Sequence, residues 1–119
     1  MRFMMMVKAD KNFEAGVPPS QELMAKMGKF FEEMTKAGVL LATEGLQPSS
    51  KGFRIKSAGG KLTVTDGPFI ETKELIAGYA IVQAKSKAEA IELAKRFWEI
   101  HGDGEGEIRQ VTEMSDYAR

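Results

Sequence analysis

Apolar residues occupy both sides of two extended segments of the chain. In residues 2–8, Phe3, Met5 and Val7 fall on one side and methionines fall on the other. The run 75–84 is likewise apolar on both sides of a strand. Strands with two apolar faces are typical of the inside of a sheet, so both segments are predicted to be central strands. Between the first strand and the first helix, residues 9–19 carry turn formers without periodicity and are predicted to form turns.

Two other segments have apolar residues at spacings of three and four, which predict amphipathic helices. The first begins after Ser20, a good N-cap, and ends at Gly38. The second begins at a capping box formed by Ser86 and Glu89 and ends in the glycines from Gly102 onward. The apolar stripes consist of Leu23, Met27, Phe30, Phe31 and Met34 in the first helix, and of Ala90, Ile91, Ala94, Phe97 and Trp98 in the second.

Three further segments have strand character. Residues 39–46 are apolar and partly β-branched, and residues 53–65 alternate around a glycine pair as a β-hairpin with one wet face. Residues 107–114 are predicted to be a last strand. Ile108 and Val111 are three residues apart and break its alternation, which a bulge or an edge position explains.

The element order β-α-β, hairpin, β-α-β is that of a ferredoxin-like α+β sandwich with an inserted hairpin. One domain spanning residues 1–119 is expected. Right-handed crossovers put both helices on the same face of an antiparallel sheet. The second apolar face must then be closed by another chain, by the hairpin, or by a ligand-filled cavity. Because bare apolar surface of this size promotes aggregation, we predict a homodimer through the sheet face.

The amino-acid composition excludes several classes of function. The 119 residues include 17 basic and 17 acidic side chains, so no net field favours nucleic acid or anionic lipid. The absence of cysteine excludes disulfides, zinc-thiolate sites and a cysteine nucleophile. No apolar run approaches the ~20 residues of a membrane span, and the N-terminal run is too short for a signal peptide. A cytoplasmic protein without nucleic-acid or membrane partners is expected.

The turn Asp66-Gly67-Pro68-Phe69 is the most chemically distinctive segment. The carboxylate of an Asp that opens a turn usually accepts from the N–H two residues later, but Pro68 has none. The Asp66 carboxylate is therefore available to accept from the Phe69 N–H, to pair with Lys73 or Arg54, or to face a cavity as a general acid/base. The alternative is a turn that only joins two strands.

His101 is the only histidine and the natural candidate for a proton shuttle. The alternative is electrostatic, since an imidazolium in the last turn of a helix is stabilised by the helix dipole. The following segment, 102–106, alternates glycine with acidic residues, but it follows a helix and lacks phosphate-loop spacing. Such a segment is more often a solvated loop than a cation site, so neither a metal nor another cofactor is predicted.

Residues 64–74, Val-Thr-Asp-Gly-Pro-Phe-Ile-Glu-Thr-Lys-Glu, followed by Ile-Ala-Gly-Tyr at 76–79, resemble the signature of the DGPF branch of the YCII-related proteins. The resemblance extends to residues 8–10, 37–40, 44–49 and 108–111. It implies a ferredoxin-like domain that pairs sheet to sheet into a dimeric α+β barrel. The wider group is regarded as probable enzymes with a His-Asp pair, and it includes a dehydrochlorinase that acts on a muconate-like acid.

The resemblance places Asp66 at the motif position, whereas His101 lies in the second helix and does not match the histidine of that pair. DGPF proteins are also associated with genes for extracytoplasmic-function sigma factors, which implies a regulatory or accessory role and a sigma factor as a conceivable partner.

Two functional hypotheses follow, and whether the protein is an enzyme stays open between them. The first is a cofactor-independent lyase or isomerase that holds a small anionic molecule in a cleft between the sheet and the hairpin. The second is a noncatalytic ligand-binding or regulatory dimer. The candidate residues are Asp66 and His101 for catalysis and Asp10, Glu44, Arg54 and Lys73 for substrate binding.

Overall fold

The computed structural model describes residues 1–117, apart from the side chain of Thr72. The strands are β1 (Arg2–Lys8), β2 (Leu40–Gly45), β3 (Phe53–Ala58), β4 (Lys61–Asp66), β5 (Ile76–Gln83) and β6 (Gly106–Gln110). The helices are α1 (Lys11–Glu14), α2 (Gln21–Lys36) and α3 (Lys87–His101), and single 3₁₀ turns occupy Ser49–Lys51, Thr72–Glu74 and Met114–Asp116.

Four strands form one antiparallel sheet in the order β2-β5-β1-β6, as predicted for a ferredoxin-like fold. In β1 and β5, Phe3 lies opposite Val82, and both side chains are buried beneath the helices together with Leu40. Ala90 brings α3 into the same core. Alternate residues of the inner strands therefore face the helices, and the helices cover one face of the sheet.

The helix boundaries follow from the caps. The Ser20 hydroxyl accepts from the Leu23 N–H at 3.1 Å, and the Ser86 hydroxyl accepts from the Glu89 N–H at 3.1 Å. These bonds satisfy N–H groups that the first turn of a helix leaves without a partner. Both predicted helix starts are confirmed. None of the helices within residues 1–117 is long and apolar enough to cross a membrane.

The opposite face of the sheet is open in the single chain. Met4 lies opposite Ile81 and Met6 lies opposite Tyr79, and all four side chains remain partly exposed. The hairpin does not cover them, because β3 and β4 form a separate two-stranded sheet in which all twelve residues are exposed.

Two local expectations were wrong. The segment 9–19, predicted to form turns only, contains the one-turn helix α1, whose N-cap Asp10 accepts from the Phe13 N–H at 2.8 Å. The last strand ends at Gln110 instead of residue 114 because the chain turns into Met114–Asp116. The register of β6 against β1 is unbroken, so the break in alternation reflects the end of an edge strand and not a bulge.

Candidate active site between the sheet and the helices

A cavity of about 290 Å³ lies between α2, α3 and the helix-facing side of the sheet. Its walls are almost entirely apolar, because each element turns its hydrophobic side toward this space. The sheet contributes Met5 and Ala80, α2 contributes Met27 and Phe31, and α3 contributes Phe97. An engineered cavity of about 150 Å³ already admits benzene in another protein, so this volume accommodates one substituted aromatic ring.

His101 is on the wall of this cavity. It is the last residue of α3, and its ring lies 4.7 Å from Trp98 and 5.6 Å from Phe97, centre to centre. Its Nδ1 atom is buried and makes no hydrogen bond with any residue that the structure describes. A buried polar atom without a partner is costly and needs an explanation, such as a catalytic role or a bound water or ion. The cavity thus has a largely apolar wall that includes the imidazole of His101.

The glycine-rich loop after α3 covers Trp98 and His101. A β-carbon at Gly104 would lie 2.8 Å from the indole of Trp98 and 3.3 Å from the imidazole of His101. The φ angle of Gly104 is +153°, a value that residues with side chains rarely adopt. Only glycine lets the loop lie this close to the two rings. The loop is held to the sheet by the Lys8 N–H, which donates to the Glu105 carbonyl at 2.9 Å.

Asp66 lies elsewhere. It ends β4 opposite Phe53, its side chain is exposed, and it is not among the residues that line the cavity. The Gly67-Pro68 peptide bond is cis. The turn is docked on residues 49–52, since the Gly67 N–H donates to the Gly52 carbonyl at 3.0 Å. A β-carbon on Gly67 would lie 1.8 Å from the Ser49 carbonyl oxygen, so this contact also requires glycine.

Ser49 anchors the turn through a hydrogen-bond chain that sequence reasoning missed. The Phe69 N–H, one of the expected partners of Asp66, donates instead to the Ser49 hydroxyl at 3.0 Å. That hydroxyl donates to Glu14, and the Ser49 N–H donates to the same carboxylate at 2.8 Å. No sequence pattern links Ser49 to Glu14, which is 35 residues away.

The other candidate residues are divided between the cavity and the turn around Asp66. Arg54 lies over the Phe69 ring, with its guanidinium carbon 3.9 Å from the ring centre, and it pairs with Glu71 at 3.7 Å. Lys73 is exposed in the neighbouring 3₁₀ turn. Glu44 borders the cavity, but it lies opposite Tyr79, so its exposed side chain is on the open face of the sheet and away from His101. Asp66 and Arg54 belong to the turn.

The remaining candidate, Asp10, serves as the N-cap of α1. Among the described residues, no group of three or more acidic or histidine side chains is arranged to hold a metal ion.

Comparison with known proteins agrees with this architecture. The family model of the YCII-related domain matches residues 1–115. An uncharacterised Rhizobium meliloti (strain 1021) protein is 28% identical over 75 residues, which are 63% of this chain and 60% of that relative. The match therefore spans less than two thirds of the relative's length.

A solved structure with the same fold is 5-chloro-2-hydroxyhydroquinone dehydrochlorinase from Burkholderia phenoliruptrix AC1100 in complex with 2,5-dihydroxybenzoquinone. The TM-score is 0.53 and the identity is 9%, with 98% of each chain covered. At this identity the likeness concerns the fold.

Proposed function

The chain belongs to the YCII-related family, and we propose that it binds a small ring compound in the cavity between sheet and helices and transfers a proton there through His101. The observation that carries this proposal is that His101, the only histidine of the chain, lies on the largely apolar wall of this cavity. A pocket with a large apolar lining and few polar groups is the usual form of a small-molecule site.

The wall composition favours a flat, largely apolar ligand. Phe31, Phe97 and Trp98 present ring surfaces, and aromatic groups pack well in offset or edge-to-face contact. The dehydrochlorinase with the same fold acts on a chlorinated hydroxyhydroquinone and was determined with a dihydroxybenzoquinone. A hydroxylated ring or quinone is therefore the class of ligand that we propose for this chain.

His101 supplies the chemistry in this proposal. An imidazole nitrogen accepts a proton from an acidic O–H or C–H of the ligand and returns it at another atom, which is the work of an isomerase or a lyase. No bound cofactor takes part in this scheme.

Trp98 reports on binding, because it is the only tryptophan in the chain and lines the cavity. Titration with 2,5-dihydroxybenzoquinone is expected to quench its fluorescence, after correction for absorbance with free tryptophan, and calorimetry should give the same affinity.

Ala80→Leu fills the cavity and should weaken binding at least tenfold. Ala88→Leu adds the same side chain to the exposed face of α3 and should leave the affinity within about twofold.

Proton transfer is tested separately from binding. In deuterium oxide, the wild-type protein should accelerate exchange of a ring proton of the probe, followed by NMR. His101→Gln keeps a polar side chain of similar length and should abolish the acceleration while binding changes by less than about threefold. Equal acceleration by both proteins would contradict the role of His101. Binding without any acceleration would favour the noncatalytic, ligand-binding function.

The exposed Asp66 remains a second candidate acid/base, with Arg54 and Lys73 as the groups that would hold an anionic ligand near it. Asp66→Asn in the same exchange assay tests this placement. A loss of acceleration in Asp66→Asn but not in His101→Gln would move the site from the cavity to the turn.

We also propose that the open sheet face pairs with a second copy of the chain. Met4, Met6, Tyr79 and Ile81 form an apolar surface that a single chain leaves partly exposed. Sedimentation at micromolar concentration should show a dimer, and a stable monomer would contradict this pairing.

A further inference from the structure

The hairpin β3–β4 has one apolar face that no residue within the described range 1–117 covers. Phe53, Ile55, Leu62 and Val64 lie on this face, because Ile55 pairs with Val64 and the others are two residues away along the strands. Their exposed fractions are 65%, 61%, 66% and 59%. The apolar arm is the name used below for β3–β4 with these four side chains. Ser57 lies at the tip of the same face and Asp66 at its base, opposite Leu62 and Phe53. The opposite face of the arm carries basic and hydroxyl side chains.

The contact that the chain does make is on the other face of the arm. Arg54 lies on the polar face, and Phe69 packs against its guanidinium group at the base of the hairpin. The arm otherwise projects from the body, which makes the chain extended. Its radius of gyration is 16.5 Å, whereas a compact domain of this length has about 13–14 Å.

A two-stranded hairpin with both faces in water is marginally stable at best. The alternation of apolar and polar residues in β3 and β4 is that of a strand pair with one buried face. The sequence therefore specifies a buried face that the single chain does not bury. The missing cover must come from another molecule.

We infer that the apolar arm packs against a second copy of this chain. The four side chains expose on the order of 400 Å² of apolar surface, more than isolated surface residues provide. In a two-fold dimer each arm covers an equal area of the other copy, so the two arms together bury roughly 1,600 Å², the usual size of a stable interface.

A second copy would also cover the other exposed apolar region of the chain. Each chain has two uncovered apolar regions, the arm and the open sheet face with Met4, Met6, Tyr79 and Ile81. One two-fold contact covers both regions in both copies. A different protein would have to cover them separately and would leave the purified chain with two exposed apolar regions.

The chain has no cysteine, so single cysteines can map the buried face in the purified protein. Ile55→Cys lies on the apolar face, and its neighbour Lys56→Cys lies on the polar face. At a concentration where sedimentation shows a dimer, a maleimide-polyethylene glycol reagent should label Cys at 55 at least tenfold more slowly than Cys at 56. The difference should disappear on dilution to the monomer.

A second pair keeps the test independent of one substitution. Leu62→Cys and Thr63→Cys occupy the corresponding faces of β4 and should show the same contrast. Joint replacement of Ile55, Leu62 and Val64 by serine should raise the dimer dissociation constant at least 100-fold, whereas serine at Lys56 and alanine at Thr63 should change it less than threefold. The inference rests on the dimer proposed above, and the two can fail separately. Equal labelling of both faces in the dimer would overturn the arm contact and leave the sheet-face dimer standing, whereas a purified protein that stays monomeric would overturn both.

Discussion

At the scale of single residues, the Ser49 hydroxyl is the junction of three separate segments. It accepts from the Phe69 N–H and donates to Glu14, so it joins α1 to the turn that follows β4. Pro68 has no N–H that could donate to the Asp66 carboxylate, and the next N–H, that of Phe69, donates to the Ser49 hydroxyl. The turn is held from outside and not by its own aspartate.

Ser49→Ala should lower the free energy of unfolding by about 1–2 kcal/mol, because a partly buried N–H and a carboxylate both lose their hydroxyl partner. Ser50→Ala is the matched control, since Ser50 is the exposed neighbour, and it should change stability by less than about 0.5 kcal/mol. Urea unfolding measures both. Equal effects of the two substitutions would show that the hydrogen-bond chain contributes nothing.

The Ser49 junction separates what could be predicted for single residues from what could not. Chemistry alone identified the unusual Asp66 turn, since the missing N–H of Pro68 is a local property. The partner of Phe69 depends on which distant segment packs nearby, and no local rule connects residues 14, 49 and 69.

At the scale of elements, the sequence was informative wherever a periodic stripe and a cap agreed. The start of α2 at Ser20 and of α3 at Ser86, and the two-faced character of β1 and β5, were all predictable. The one-turn helix α1 was not, because four residues are too few to show a period of 3.6. The end of β6 depends on where β1 no longer has backbone groups that can hydrogen-bond to it.

A glycine inside α2 gives a test at this scale. Gly28 is exposed in the middle of the helix, and a β-carbon there would meet no atom within 4 Å. Gly28→Ala should therefore raise the free energy of unfolding by about 0.5–1 kcal/mol, because alanine loses less backbone entropy in a helix. Thermal and urea unfolding measure the change. A loss of stability would mean that Gly28 makes a close contact with another molecule, such as the second copy.

At the scale of the whole molecule, an ion pair joins the two ends of the described chain. Arg2 donates to Glu113 through Nε at 2.7 Å and through its terminal nitrogen at 3.0 Å, across 111 residues of sequence. The hydrogen bonds from Arg2 hold the pKa of Glu113 below its ordinary value of 4.5, and desolvation opposes this shift. The segment after β6 is thereby tied to the first strand.

The pair should contribute stability at neutral pH that is lost in acid. Because the pKa of Glu113 is lower in the folded than in the unfolded protein, its contribution is fully present above the unfolded value and disappears as pH falls through the folded value. The melting temperature of Glu113→Gln should lie below that of the wild type at about pH 7, and the gap should narrow as pH falls below the ordinary pKa of glutamate and close once Glu113 is protonated in the folded protein. A gap that persists in acid would mean that the glutamate acts through packing.

The overall architecture was predictable from element order and handedness, but the candidate site was not. Its cavity is the volume left between large side chains of α2, α3 and four strands, and such a volume depends on how they pack in three dimensions. His101 was identifiable as the only histidine. Its position beside Trp98 on the wall of that cavity was not.

The methionines of the cavity wall have a consequence for selectivity. Met5, Met24, Met27 and Met34 all line it, and a methionine side chain is unbranched, flexible and polarisable. Such a wall changes shape at little cost and accepts rings with different substituents. The stiffer aromatic side chains around Trp98 then determine which ligands bind well. Oxidation of the methionine thioethers to sulfoxides would make the wall polar, so the same rings would bind more weakly.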